Sequence, residues 1–361
     1  MPGDLARSDF RNILILKPSA IGDVVHALPV LAGLRRRFPA ARIAWLVNPG
    51  CADVLDGHPA LDEVILFERK RFGRMTRSPD AAAGFARLLG ELRRRRFDLA
   101  LDLQGLFRSG FLAAASGARV RVGLSDAREF AGLFHTHRVD AGPPDAHAVD
   151  RLWRVAAALG CPGGPAEFAV APSPQARAEA DRLLAEAGIA PGAPFAVLVV
   201  GAMWATKLWS AEGFAAVARG LAARRGLPSV ILGGAGDSMR AARVAALCDG
   251  AAANLAGRTG LREAVAVLAR AAVVVTNDTG PMHIAAALGR PLAGVFGPTN
   301  PDRTGPYRRP GSVVRAAGVA CSPCYRRRCP TQMECMSGVT AEQVLAAAER
   351  ELDAAEGPRA V

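Results

Sequence analysis

Short β-rich runs alternate with longer amphipathic stretches along nearly the whole chain, and this alternation predicts most of its elements. Residues 12–16 (NILIL), 42–47 (RIAWLV), 63–67 (EVILF) and 98–103 (DLALDL) read as buried strands, apolar almost without interruption. The stretches 23–37, 80–95 and 107–116 read as helices between them, and 145–159 as a helix closing this half. A Gly- and Pro-rich segment, 160–174, then reads as a linker. The rhythm resumes with strands at 195–200, 229–232, 272–277 and 291–296. Helices are expected at 211–224, 237–247, 261–269 and 281–288, with a terminal helix at 340–355. Ser210 and Thr340 stand where an N-cap hydroxyl is needed. Strand–helix alternation of this kind builds a parallel sheet covered on both faces. The expected fold class is α/β, as two Rossmann-like domains at 1–165 and 166–361.

Composition narrows the class. The 361 residues include 45 basic and 33 acidic groups, a net charge of +12, and half are hydrophobic. That apolar fraction excludes a disordered chain. No apolar run approaches the roughly 20 residues of a membrane span. The opening MPGDLARSDFRNILIL has no signal-peptide pattern, so a cytoplasmic location is expected. Seven cysteines in this length do not form a disulfide scaffold. A basic chain implies an anionic partner: nucleic acid, an acidic lipid surface or a phosphorylated substrate. Nucleic acid is disfavoured, since no recognition motif is present and aromatics make up only 6%. Of the 45 basic residues, 42 are Arg and three are Lys: Lys17, Lys70 and Lys207. Arg, Ala, Gly and Pro share GC-rich codons, so arginine is background and each lysine stands out.

In parallel α/β sheets ligands bind beyond the carboxyl ends of the strands, so the loops there carry the candidate chemistry. KPSAIGD (17–23) follows the first strand, with Gly22 for the turn and Ser19 or Asp23 as caps. Asp23 reads either as a helix-start acid or as a general base tuned by Lys17 and His26. GAMWATKLW (201–209) sets Lys207 between Trp204 and Trp209, as a packing surface lysine or a phosphate-reaching cation. LGGAGD (232–237) is a glycine-rich turn of low specificity, and FGPTNPDRTGPY (296–307) a turn-rich loop. VVVTNDTGPMHIAAALG (273–289) is sharper, with Asp278, Thr279 and Gly280 leading into a helix that has Pro281 at its start and His283 on its first turn. That helix start offers free N–H groups to a diphosphate. ERKRFGRMTRS (68–78) reads as a flexible loop in which Arg69, Lys70, Arg71, Arg74 and Arg77 could meet an anionic substrate. RRRR (93–96) reads as a solvated helix end. Cys321, Cys324, Cys329 and Cys335 leave two readings open, a structural zinc site or reduced thiols.

Together these loops resemble the heptosyltransferases of glycosyltransferase family 9. KPSAIGDVVHALPVL is similar to that family's opening signature, and NDTGPMHIAAALGRP followed by VFGPT to its most specific one. DLQGLFRSG (102–110), SDAREF (125–130) and GAMWATKLW also fit, so the likeness spans about 12–345. Met203-Trp204 departs from a Thr-Thr pair carried by some members. The resemblance, closest to heptosyltransferase I, implies a GT-B fold whose two domains face a central cleft, the N-terminal one for acceptor and the C-terminal one for nucleotide sugar. It implies inverting transfer of heptose from ADP-heptose, as donor substrate, to the Kdo-bearing lipid A core of lipopolysaccharide. No cofactor or catalytic metal is implied. Asp23 takes the place of the general base, and Thr206, Lys207, Asp278, Thr279, Gly280 and His283 that of the donor site. Gln104, Arg108 and Arg128 are expected to face the acceptor, with Lys17, Ser19, Gly22 and the 69–74 basic residues. The implied setting is cytoplasmic, peripheral to the inner membrane. A transferase or epimerase acting on another nucleotide sugar is the alternative.

Overall fold

The computed structural model describes residues 5–165 and 167–356. The chain divides between Ala169 and Val170 into two compact units. The first unit contains strands β1 Asn12–Leu16, β2 Arg42–Val47, β3 Glu63–Leu66, β4 Leu99–Asp102, β5 Val120–Leu124 and β6 His137–Val139. They form one parallel sheet in the order β3-β2-β1-β4-β5-β6. The second unit contains β7 Ala196–Val199, β8 Ser229–Leu232, β9 Ala252–Asn254, β10 Val273–Asn277, β11 Leu292–Phe296 and β12 Val313–Arg315. Its sheet is also parallel, in the order β12-β11-β10-β7-β8-β9. Strand order reverses between β1 and β4 and again between β7 and β10, and crevices open at such switch points. The expected α/β class with two parallel sheets is what the chain adopts.

The apolar runs became the central strands because both of their faces are covered. Ile13, Leu14, Ile15, Leu16 and Trp45 are fully buried in the first unit, and Phe195, Trp209, Phe214 and Phe296 in the second. Among the described residues, four strands and one helix longer than a single turn escape the pattern. β6, β9 and β12 are three-residue outer strands, and β5 carries Arg121 and Gly123 in its middle. The helix Pro174–Glu186 buries only a narrow stripe of Ala176, Ala180, Leu183 and Leu184. Its start is nonetheless marked: Ser173 Oγ accepts from Ala176 N at 3.3 Å, with proline at the helix start.

Two basic segments differ from expectation. Residues Arg69–Phe72 form a single helical turn rather than a flexible loop, because Phe72 is buried and anchors it. Arg71 bridges Glu68 at 2.8 Å and Asp80 at 2.9 Å, so its guanidinium is occupied within the unit. In the 93–96 run, Arg95 pairs with Glu63 at 2.6 Å and Arg93 donates to the Ala115 carbonyl at 3.2 Å. Arg93, Arg94 and Arg96 are exposed, as a solvated helix end would have them, and only Arg95 departs from that reading by tying the helix to β3.

Six phenylalanines form a continuous row beneath these segments. Successive ring centroids lie 5.5 Å apart for Phe67–Phe72 and Phe72–Phe85, and 6.4 Å for Phe85–Phe111. The row continues through Phe111–Phe134 at 6.2 Å to Phe134–Phe107 at 5.4 Å. Such pairs contribute about 0.5–1.5 kcal/mol each beyond their area burial. The row supports both the Arg69–Phe72 turn and the turn Ala131–Phe134.

Candidate functional site

In the first unit the loop after β1 enters the helix Ile21–Arg37, whose first turn carries Gly22 and the half-buried Asp23. Asp23 Oδ2 accepts from the Ala20 N–H at 2.9 Å, which orients the carboxylate over its own helix start. Its charge, after burial, helps push the neighbouring Cys51 thiol up to about 11. Lys17 is buried, and its Nζ donates to the Leu103 carbonyl at 3.0 Å. Its own carbonyl accepts from Trp45 Nε1 at 3.2 Å. This lysine therefore ties the β1 and β4 loops together rather than reaching outward. His26 is also buried, packed edge-on against His147 at 5.3 Å.

The loop after β4 is built around Asp102. Its Oδ1 accepts from Gln104 N at 3.1 Å and Gly105 N at 2.9 Å, and Oδ2 meets His135 Nε2 at 3.0 Å. Gly123 leaves the room that the His135 ring fills. Gln104 Oε1 in turn accepts from Ser19 N at 3.4 Å, so this loop borders the Asp23 loop. Arg108 and Arg128 are exposed, the latter held by its N–H donating to Gly105 O at 2.8 Å. Arg69, Lys70 and Arg74 are exposed beyond the carboxyl end of β3. Asp102 opens the DLQGLFRSG motif, but its pairing with His135, 33 residues further on, has no local signature.

In the second unit Lys207 and Asp278 meet directly, Nζ to Oδ2 at 2.6 Å. Thr299 Oγ1 donates to the same carboxylate oxygen at 2.5 Å. Asn277 holds the strand ends in place: its Oδ1 accepts from Trp209 N at 3.0 Å and its Nδ2 donates to Val200 O at 2.9 Å. Thr279 and Gly280 open the helix Gly280–Ala287, and His283 is buried on its first turn. Thr206 is buried and turns away, donating to the Arg326 carbonyl at 2.8 Å. Lys207 Nζ lies 4.8 Å from the Trp204 ring centroid and the Arg327 guanidinium 5.1 Å. Two cations thus flank a half-exposed indole, and Lys207 is joined through Asp278 to the turn that opens the Gly280 helix, an arrangement suited to a diphosphate.

The cysteine segment borders this site, and of its two readings the structural zinc site finds no support. Among the described residues no group of three or more His, Cys, Asp or Glu is placed to hold a metal ion. The segment is instead laid along the loop after β11, where Cys324 N and Tyr325 N donate to Pro298 O at 3.0 and 2.8 Å. Ser322 Oγ donates to Gly297 O at 2.6 Å. Cys321 is left exposed while Cys335 is buried, and all four are free thiols. Hydrogen bonds from Thr331 hold the Cys329 thiol below its ordinary value.

Two parallel-sheet units with candidate groups on the loops after their switch-point strands match the GT-B architecture of solved heptosyltransferases. The chain belongs to glycosyltransferase family 9 (heptosyltransferase), whose family model matches residues 85–334. It is 32% identical over 324 residues to lipopolysaccharide heptosyltransferase 1 of Pseudomonas aeruginosa, covering 89% of this chain and 88% of that protein. The structure of E. coli heptosyltransferase WaaC with ADP superposes with a TM-score of 0.76 at 28% identity, covering 94% of this chain and 99% of that one. A family 9 glycosyl transferase from Veillonella parvula shares the fold with a TM-score of 0.80 at 23% identity, covering 96% and 98%.

Proposed function

We propose that the protein transfers heptose from ADP-heptose to the Kdo-bearing lipid A core of lipopolysaccharide, with inversion. The observation that carries this reading is the Lys207–Asp278–Thr299 assembly beside the Gly280 helix start. Its support from relatives is the WaaC structures with ADP and with ADP-2-deoxy-2-fluoro heptose. The second unit binds the donor and the first the acceptor. Asp23 takes the proton of the acceptor hydroxyl as that oxygen attacks the anomeric carbon. The bond from that carbon to ADP breaks, and the departing diphosphate is met by Lys207 and the N–H groups at Gly280. Gln104, Arg108, Arg128 and the exposed Arg69, Lys70 and Arg74 bind the phosphates and carboxylates of the acceptor. Lys17, Ser19 and Gly22 hold the Asp23 loop in register. Such an enzyme works on the cytoplasmic face of the inner membrane.

The test is incubation with ADP-heptose and Kdo-lipid A, wild type beside Asp23→Asn. Wild type is expected to transfer heptose, and the variant to lose about 10²–10⁴-fold in kcat while still binding ADP. A wild type inert with this pair removes the substrate assignment, and full activity in the variant removes Asp23 as base. Conversion of the nucleotide sugar without any acceptor marks an epimerase instead.

A further inference from the structure

Three large apolar side chains crowd one exposed edge of the first unit. Phe130 is 79% exposed, Leu133 75% and Phe107 50%. Single exposed apolar residues are ordinary, but a cluster of large ones marks an interaction site. Their proximity is fixed by the backbone. Leu133 N donates to Phe130 O at 3.0 Å, and Arg128 N to Gly105 O at 2.8 Å, which ties this turn to the start of the helix Phe107–Ala115. Phe107 and Phe134 meet edge-on at 5.4 Å.

The chain adopts an unfavourable conformation to present these tips. Glu129 and Phe130 both lie in the left-handed region, at φ 53° and 61°. A bulky residue rarely sits there. The unit recovers nothing by burying the Phe130 ring, since Ala131 is the buried member of the turn that follows. Beneath the turn, the phenylalanine row gives a packed support. Around it the charge is mainly positive: Arg108, Arg128 and Arg138 are exposed, with Glu129 and Asp126 as nearby acids, the latter paired with Arg151. Arg138 is held beside Leu133 by donating to Gly132 O at 3.2 and 2.8 Å. The same row leads back to the exposed Arg69, Lys70 and Arg74.

We infer that this edge is a membrane-docking surface, in which Phe107, Phe130 and Leu133 enter the headgroup boundary of an anionic bilayer while Arg138 meets its phosphates and Arg108 and Arg128 face the lipid acceptor in that same plane. Apolar tips ringed by arginine match a lipid interface on both counts. A soluble anion accounts for the arginines but leaves the tips unexplained. The inference deepens the reading that the acceptor is a membrane lipid, and it accounts for how the enzyme comes to the plane where that lipid sits.

Vesicles of phosphatidylethanolamine, with and without phosphatidylglycerol, test it by co-sedimentation with the full chain. Wild type is expected to bind the phosphatidylglycerol vesicles and to be released as salt rises. Phe130→Asp/Leu133→Asp is expected to lower partition about tenfold or more, and Phe130→Trp to retain it. Thermal stability and ADP affinity should be unchanged in both variants, as the side chains are exposed. Wild-type partition in the double variant overturns the surface. So does a variant that binds vesicles normally but shows a raised KM for lipid acceptor, which would assign the tips to the acceptor's chains. A wild type that docks on vesicles yet transfers no heptose overturns the substrate reading and leaves the surface standing. Transfer without vesicle binding does the reverse.

Discussion

At Lys207 one ammonium group meets a buried carboxylate at 2.6 Å and the face of an indole at 4.8 Å, so its place is set before any ligand arrives. Lysine suits this geometry because its charge is compact and its stem slim, whereas a planar guanidinium needs a wider slot. Lys207→Ala is expected to lower kcat about 10²-fold or more and to weaken ADP, because a preorganised cation is lost where charge develops. Steady-state kinetics and ADP calorimetry measure both. Lys207→Arg should recover only part of the loss. An unchanged rate together with a lowered Tm would leave Lys207 a structural partner of Asp278. The other two lysines have separate fates: Lys17 is buried on a carbonyl, and Lys70 is exposed beyond β3. A shared scarcity of lysine therefore does not imply a shared role.

At the scale of elements, the ties between them decide what the sequence could reveal. β1 and β10 were legible because each is a continuous apolar run followed by its turn. The helical turn Arg69–Phe72 was not, because its order comes from Phe72 in the aromatic row and from Arg71 meeting Asp80 nine residues on. Arg95 tells the same story, since its partner Glu63 lies 32 residues away on β3. Hydrogen bonding and charge from Arg95 hold the Glu63 carboxyl below its usual 4.5. A carboxylate lowered on folding stabilises above its unfolded pKa, and that contribution fades as pH falls through the folded value. Arg95→Ala should accordingly cost about 1 kcal/mol near neutrality, the upper end for a partly exposed pair. The difference from wild type should shrink as pH drops below 4.5. Denaturant melts of both proteins across acid pH check it, and a pH-independent gap would mean Arg95 acts through packing alone.

Across the whole molecule, the parts of the site that were readable are those in which loop and strand are contiguous in sequence. Asp23, Lys207 and the Asp278–Gly280 turn all follow a recognisable strand directly. Thr299 and Arg327 were not singled out, because their roles exist only once segments far apart are folded together; Thr206 and the Arg326 carbonyl are 120 residues apart. The cysteine spacing left zinc and free thiols undecided for a related reason, as its segment is shaped by backbone bonds to Pro298 that local spacing does not reveal. The tryptophans have an optical consequence. Trp45 and Trp209 are essentially inaccessible and Trp153 is 8% exposed, whereas Trp204 is half-buried between two cations. Light absorbed by the first three gives a steady background. The fourth emits from the proposed diphosphate site, so ADP should shift the emission of wild type and leave Trp204→Phe unchanged. A shift that survives this substitution would come from another indole. The protein carries its own lamp at the place where the donor is expected to bind.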